Sequence, residues 1–156
     1  MNIEQNFIDA MRGFATTVNV VSSRKLEERQ AMTASAVTSL SLSPPMILVC
    51  INKKAAIHKI LELDDNFCIN ILCSDQQEIA QICSGKEEGE IRFETGTWLD
   101  DLGSPFLYEA QSNIFCKCIE TIDQSSHTIF LGEALNIINN KKRSPLIYLD
   151  GEFKKI

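Results

Sequence analysis

Short apolar runs set the first limit on what this chain can fold into. The longest, Met46 to Ile51, has six residues and follows directly on Pro44-Pro45. Proline fixes its own φ and pushes the residue before it toward extended backbone, so the pair opens a strand. Six apolar residues suit a strand buried on both faces and fall far short of the roughly 20 that cross a bilayer as a helix. Thr16 to Ser23 (TTVNVVSS) is β-branched and reads as a strand, with the polar RKLEERQ behind it as a hairpin-like connection. Phe67 to Leu72 reads as a further buried strand. Asn113 to Ile122, His127 to Ile138 and Pro145 to Leu149 read as the last strands, the first two joined by a hairpin around Asp123 to Ser126.

Helical signals are fewer. Ile3, Phe7, Met11 and Phe14 recur at spacings of four, four and three, which predicts an amphipathic helix over the first dozen residues. Ser74 to Cys83 opens with Ser-Asp-Gln-Gln-Glu, an N-cap beginning, and continues as a helix carrying Ile79 and Ile82. Asn52 to Leu63 is short and mixed, with Ile57, Ile60 and Leu61 at helical spacing. Gly85 to Gly103, rich in acids and glycines, reads as a long loop or lid. With no repeat and no linker, residues 1–156 are expected to form one domain, mainly β with a few helices.

Composition narrows the function. Fifteen Lys plus Arg against twenty-one Asp plus Glu leave a net charge of −6, the wrong sign for an electrostatic nucleic-acid binder or an anionic membrane surface. The N-terminal stretch carries Glu4 and Asp9 and no apolar h-region, so a cytoplasmic address is expected. Five of the six cysteines lie in or beside apolar stretches, where free cysteine behaves as a small hydrophobe. There is no C-x-x-C, and His58 and His127 lack ligand-like spacing, so no metal is expected. Cys116 and Cys118 share one strand face but make only half of a closed four-ligand set. Rossmann, P-loop and nucleophile-elbow motifs are absent.

Three constellations carry chemistry. Thr33-Ala34-Ser35-Ala36-Val37-Thr38-Ser39 is built of small and hydroxyl residues. It either admits a flat ligand to the backbone N–H groups or forms a turn-rich strand with hydroxyls in solvent. At Cys50-Ile51-Asn52-Lys53-Lys54-Ala55 a buried strand ends, two lysines follow and a short helix begins. That is either a phosphate site or a solvated pair of lysines. His127 stands at a turn-to-strand junction, where a side chain is either a cleft residue or an ordinary structural one.

Taken in order, the segments resemble a known family. Met11-Arg12-Gly13-Phe14-Ala15-Thr16, Met32-Thr33-Ala34-Ser35, Thr38-Ser39-Leu40-Ser41-Leu42-Ser43-Pro44-Pro45, Cys50-Ile51-Asn52, Asn70-Ile71-Leu72, Arg92-Phe93 and His127-Thr128-Ile129-Phe130-Leu131-Gly132-Glu133 are similar to the flavin reductase-like family. These are short NAD(P)H:flavin oxidoreductases, among them the reductase component of 4-hydroxyphenylacetate 3-monooxygenase. The resemblance runs from Phe7 to Tyr148. It implies a homodimeric, Greek-key split β-barrel that binds FMN, with FAD as the other candidate, and takes NADH or NADPH as substrate. It further implies that Thr33 to Thr38 lie along the isoalloxazine and that Cys50 to Ala55, Lys53 included, pass the ribityl chain and phosphate. Ser84 and Gly85 would close over the cofactor tail, Phe93 would join the cofactor site, and His127 with Tyr148 would border the nicotinamide pocket. A monooxygenase or other acceptor would receive the electrons. The chain departs from the family at Ala55 and Ile57, where relatives carry hydroxyls, and at Ser126, where they carry an acid. The resemblance leaves a second function open, a tight FMN-binding electron carrier without NAD(P)H turnover of its own.

Overall fold

A computed structural model of the chain describes residues 2–140 and 144–156. Helix α1 (Ile3–Arg12) starts at Asn2, whose side chain accepts from the backbone N–H of Glu4 and Gln5, satisfying donors that an uncapped helix start would strand. No residue of α1 is buried: its apolar stripe stands in the open, with Ile3 81% and Phe7 62% exposed.

Twelve strands follow among the described residues: β1 (Thr16–Thr17), β2 (Asn19–Lys25), β3 (Glu28–Ala34), β4 (Val37–Leu42), β5 (Pro45–Asn52), β6 (Asn66–Ile71), β7 (Trp98–Asp101), β8 (Ser104–Leu107), β9 (Ser112–Gln124), β10 (His127–Asn139), β11 (Leu146–Leu149) and β12 (Glu152–Lys155). Between them lie a 3₁₀ turn (Ala56–Lys59), helix α2 (Gln77–Gln81) running into a π turn (Ile82–Lys86), and a second 3₁₀ turn (Gly89–Phe93). Among the described residues no helix is long and apolar enough to cross a membrane.

Several elements differ from the sequence reading. The stretch RKLEERQ is mostly ladder, with the turn confined to Leu26 and Glu27, because Leu26 adopts φ 55° and lets the two strands run on to Lys25 and Glu28. β5 is sealed at Val49 and Ile51 only, so one face is core and the other half-buried. Ser74 does not cap α2; Gln76 precedes it, and its side chain accepts from the Cys73 N–H instead. Within Gly85 to Gly103 the chain forms a 3₁₀ turn and the strand β7, which pairs with β8.

Seven strands form an antiparallel sheet in the order β3-β2-β6-β9-β10-β5-β4. Its two edge strands, β3 and β4, are joined by Ser35 and Ala36 alone. Three Cα steps span at most about 11 Å, so the two edges must meet at this corner and the sheet must curl. Its concave face packs into one cluster, with Val21, Val49, Ile51, Phe67, Ile69, Cys116, Cys118 and Phe130 from five strands closed off by Ile57, Ile60 and Leu61. Each fully buried large side chain there contributes on the order of 1.5–3 kcal/mol. At Gly132 the β9–β10 register slips, and a Cβ would lie 2.9 Å from the Cys116 Cβ and closer still to the Phe67 ring. Glycine is required there so that the ring can lie on the backbone.

A second cluster (Val18, Val20, Leu72, Ile79, Phe93, Leu107 and Leu146 among its members) fills the space beneath α2. The β7–β8 hairpin is pinned to the sheet by a buried amide. The Asn70 side chain donates to the Val20 carbonyl and the Ser22 hydroxyl, and accepts from the Leu107 N–H and the Asn113 amide at 2.8 Å each. Every polar atom of that carboxamide is thereby matched, which is what makes its burial tolerable.

Candidate active site

The curl places the β3–β4 corner opposite the end of β5. Between them, against the π turn, lies a cleft of about 470 Å³, whose walls include Thr33, Asn52, Lys54, Ala55, Lys59 and Arg92. Ser84 and Gly85 border it from the π turn. Gly85 has φ 103°, a left-handed conformation that favours glycine, while a Cβ there would meet open space. The residue is thus set by backbone shape and not by crowding.

This cleft shares Thr33 and Ser84 with a second, of about 370 Å³, which reaches Tyr148 and Phe153. The second shares Ser35, Tyr148 and Gly151 with a third, of about 520 Å³, beneath Phe7, Met11 and Phe14 of the α1 region. The small residues Thr33, Ser35 and Ala36 therefore form the common wall of three adjoining hollows. β3 is also an edge strand, so alternate backbone N–H and C=O groups along it have no ladder partner. The Thr33 hydroxyl itself is committed to the Ala80 carbonyl at 2.7 Å.

Charge in the first cleft is selective. Arg24, Lys25, Arg29, Lys53, Lys117 and Lys154 each meet a carboxylate. Lys54 and Lys59 have no such partner among the described residues, and both face the cleft. Among the described residues, Glu88 is the one carboxylate lining it. Arg92 is buried and used as an anchor: its guanidinium donates to the Glu87 and Ala31 carbonyls at 2.6 Å each, which holds the 87–92 wall against β3. Cys83 also lines the cleft, but burial pushes its thiol up to about 11, so it remains protonated and is no nucleophile near neutrality.

Thr33, Asn52, Ala55, Ser84 and Gly85 meet in the first cleft, and Ser35, Ala36 and Tyr148 in the adjoining ones. Ala34, Ile51 and, in part, Val37 face the core instead. Thr38 and Ser39 are exposed on β4, and Cys50 is half-buried on β5, its N–H given to the Ala36 carbonyl. Phe93 packs edge-on against Trp98 at 4.9 Å and under the Arg29 guanidinium at 4.1 Å, outside all three hollows. Lys53 does not line the cleft; its ammonium lies 3.7 Å from Asp123. Lys53 and Lys54 are the two central residues of a turn closed by the Ala55 N–H on the Asn52 carbonyl at 2.9 Å, and of the two only Lys54 lines the cleft. The helix expected after Lys54 is a four-residue 3₁₀ turn, too short for a useful dipole, so the positive character comes from side chains.

His127 begins β10 and pairs in register with Asn52, at the cleft's edge. It is exposed, and the Ser126 hydroxyl stands 2.9 Å from its Nδ1. The residue that replaces the family's acid thus still reaches the ring.

Lys59, Met32, Ala56 and Arg92 were not anticipated as cleft residues. In a 3₁₀ turn, side chains three apart eclipse, which puts Lys59 over Ala56 on the cleft side. Nothing local marks Arg92, since its role depends on β3 lying beside it.

The fold is shared with solved flavin reductases. The flavin reductase like domain model matches residues 11–156. The chain is 32% identical to the reductase component of the FADH(2)-dependent resorcinol hydroxylase of Rhizobium sp. (strain MTP-10005), over 97% of this chain and 86% of that protein. It is 30% identical to the FMN reductase (NADH) RutF of Yersinia enterocolitica, over 94% of this chain and 81% of that one. Among solved structures, the NADH:FAD oxidoreductase of Streptomyces globisporus C-1027, in complex with NAD and FAD fragments, superposes with a TM-score of 0.90 at 28% identity, covering 99% of this chain and 93% of that one. The chain belongs to the flavin reductase like domain family.

Proposed function

We propose that the first cleft takes the phosphorylated end of a flavin and that the Thr33–Ala36 corner carries its ring. The activity is that of an NAD(P)H-dependent flavin reductase. The observation that carries the placement is the pair of unpaired lysines, Lys54 and Lys59, facing a cleft whose other wall is small and backbone-rich. In a chain of net charge −6, two ammonium groups with no carboxylate partner among the described residues are held ready for an anion from elsewhere.

The donor set fits the cofactor. Ammonium groups match a phosphate, edge-strand N–H groups of β3 match ring carbonyls, and small side chains allow close approach. When bound, the flavin supplies the redox chemistry, accepting hydride from the nicotinamide at N5. The protein's own part is to bind and orient. Lys54 and Lys59 hold the anionic end, Arg92 keeps the far wall in place, and backbone N–H groups at the corner favour negative charge on the ring's carbonyl side. His127, beside Asn52 and exposed to an incoming molecule, orients the nicotinamide, while Tyr148 lies in the adjoining hollows at the ring's corner.

Residues 1–156 act as one flavin reductase-like domain, a split β-barrel completed as a homodimer. The exposed apolar residues of α1, with Leu40 and Leu42 of β4 and Leu135, Ile137 and Ile138 of β10, support a second copy as the cover. Six cysteines without disulfides, five of them buried, support a reducing, cytoplasmic setting. Reduced flavin passes to a separate monooxygenase, as the name of the Rhizobium relative suggests.

The test is turnover of NADH and NADPH with FMN, FAD and riboflavin, together with flavin binding followed by fluorescence quenching and sedimentation equilibrium for the dimer. Saturable binding of FMN with NAD(P)H oxidation is expected. A protein that binds no flavin would overturn the reading.

A further inference from the structure

We propose that His58 is a positioning residue, clamping the lysine-bearing wall of the cleft to the hairpin that carries His127 by way of Thr128 and Asp123. The inference rests on the reading of that cleft as a phosphate site.

The geometry is a closed circuit. Thr128 is 3% exposed, and its hydroxyl donates to Asp123 Oδ1 at 2.7 Å. A hydroxyl has one proton, so toward His58, 2.8 Å away, its oxygen can only accept. That assigns the imidazole proton to Nε2. The ring is also held edge-on against Phe130, a core residue, with centroids 5.7 Å apart. Asp123 in turn receives the Lys53 ammonium, and the Lys53 N–H donates to the Ser126 carbonyl at 2.9 Å. The Thr128 hydroxyl, and next the Lys53 charge, hold the Asp123 carboxyl below its ordinary range, so it stays an anion throughout the neutral region.

The consequence lies in what the circuit encloses. Lys53 and His58 are both fastened to the hairpin tip, and the chain between them carries Lys54, Ala55 and Ala56, with Lys59 just beyond. Fixing both ends of this short segment sets which way Lys54 and Lys59 face. Asp123 also satisfies Lys53, so the carboxylate is used up on the far side of the segment and does not compete for the two cleft lysines. The same hairpin ends in His127, so the anion wall and the nicotinamide edge share one brace.

The experiment uses the full chain and two ligands that differ only in the phosphate, FMN and riboflavin, with Kd read by flavin fluorescence quenching and folding by thermal midpoint. Thr128→Val keeps the branched shape and removes the hydroxyl; Thr128→Ser restores it. His58→Phe keeps the aromatic contact with Phe130 and removes the donor. Thr128→Val and His58→Phe are expected to weaken FMN binding about five-fold, the worth of one net hydrogen bond, with riboflavin unchanged. Thr128→Ser should recover FMN affinity. The proposal is overturned if both variants bind FMN like the parent, or if FMN and riboflavin weaken equally, which is the signature of general loosening. Should Thr128→Val not fold, His58→Phe decides. A parent protein that does not distinguish FMN from riboflavin would instead refute the phosphate reading, and this inference with it.

Discussion

The molecule handles polar groups in two opposite ways. At Asn70 the polar atoms are deep in the structure, and each is matched within the chain: the carboxamide meets Val20, Ser22, Leu107 and Asn113. At the first cleft the polar groups are accessible, and two of them, the Lys54 and Lys59 ammonium groups, are left unmatched among the described residues. A satisfied buried network stabilises one arrangement because any other strands its donors. An unmatched charge beside a hollow contributes nothing to the fold and is available to a ligand. The contrast therefore separates what holds the protein together from what it works with.

Each prediction tests that separation. Asn70→Ala should have the largest effect, lowering unfolding stability by about 2–4 kcal/mol as the Leu107 N–H and Asn113 amide lose their acceptor. Urea denaturation measures it, and the folded fraction should bind FMN as before. Lys59→Met should do the reverse, weakening FMN binding about ten-fold while leaving stability within about 0.5 kcal/mol. A large loss of stability in Lys59→Met would collapse the distinction. His127→Ala should lower kcat for NADH oxidation about five-fold, as for a lost orienting contact, with the Kd of FMN retained. Unchanged steady-state rates would remove His127 from the nicotinamide edge.

The smallest effect is on acid stability. Asp123 is held below its ordinary value of 3.8, chiefly by the Thr128 hydroxyl, and Glu90 below its ordinary 4.5, chiefly by Arg29. A depressed folded value stabilises fully above the unfolded value and is lost as pH falls through the folded one. The unfolding midpoint should thus be flat from pH 7 to about 5 and begin to fall below about 4. Both carboxylates are exposed, so the slope should be shallow. A fall that begins above pH 6 would show that another group controls it.

Much of the β content was legible because its cause is local. Alternation and β-branching in TTVNVVSS, the apolar run after Pro44-Pro45, and the two long runs flanking Asp123 to Ser126 each mark a strand without reference to the rest of the chain. β8 and β12 were not legible. Ser104–Leu107 and Glu152–Lys155 are four residues each and are strands because β7 and β11 lie beside them. Among the candidate residues, Thr33, Ser35 and Ala36 are legible from small size and Asn52 and Ala55 from the end of an apolar strand, whereas Ser84 and Gly85 are expected only from the family resemblance; all seven line the adjoining hollows. The choice of Lys54 over Lys53 is not legible, since it depends on Asp123 arriving from a hairpin 70 residues later.

The sequence by itself determined the class of fold, the acidic net charge, and the succession of motifs that places the chain in its family. Those properties depend on residue type and near-neighbour spacing, and both are written in the chain. The tertiary structure decided which charges are free. An ammonium is free or paired according to whether a carboxylate stands within about 4 Å, and that distance is set by how the sheet curls and where the β9–β10 hairpin falls. The six-residue run from Met46 to Ile51 could announce a strand. Only the curled sheet could bring its end beside Thr33 and Arg92 around one cleft, with His127 paired to Asn52 at its edge.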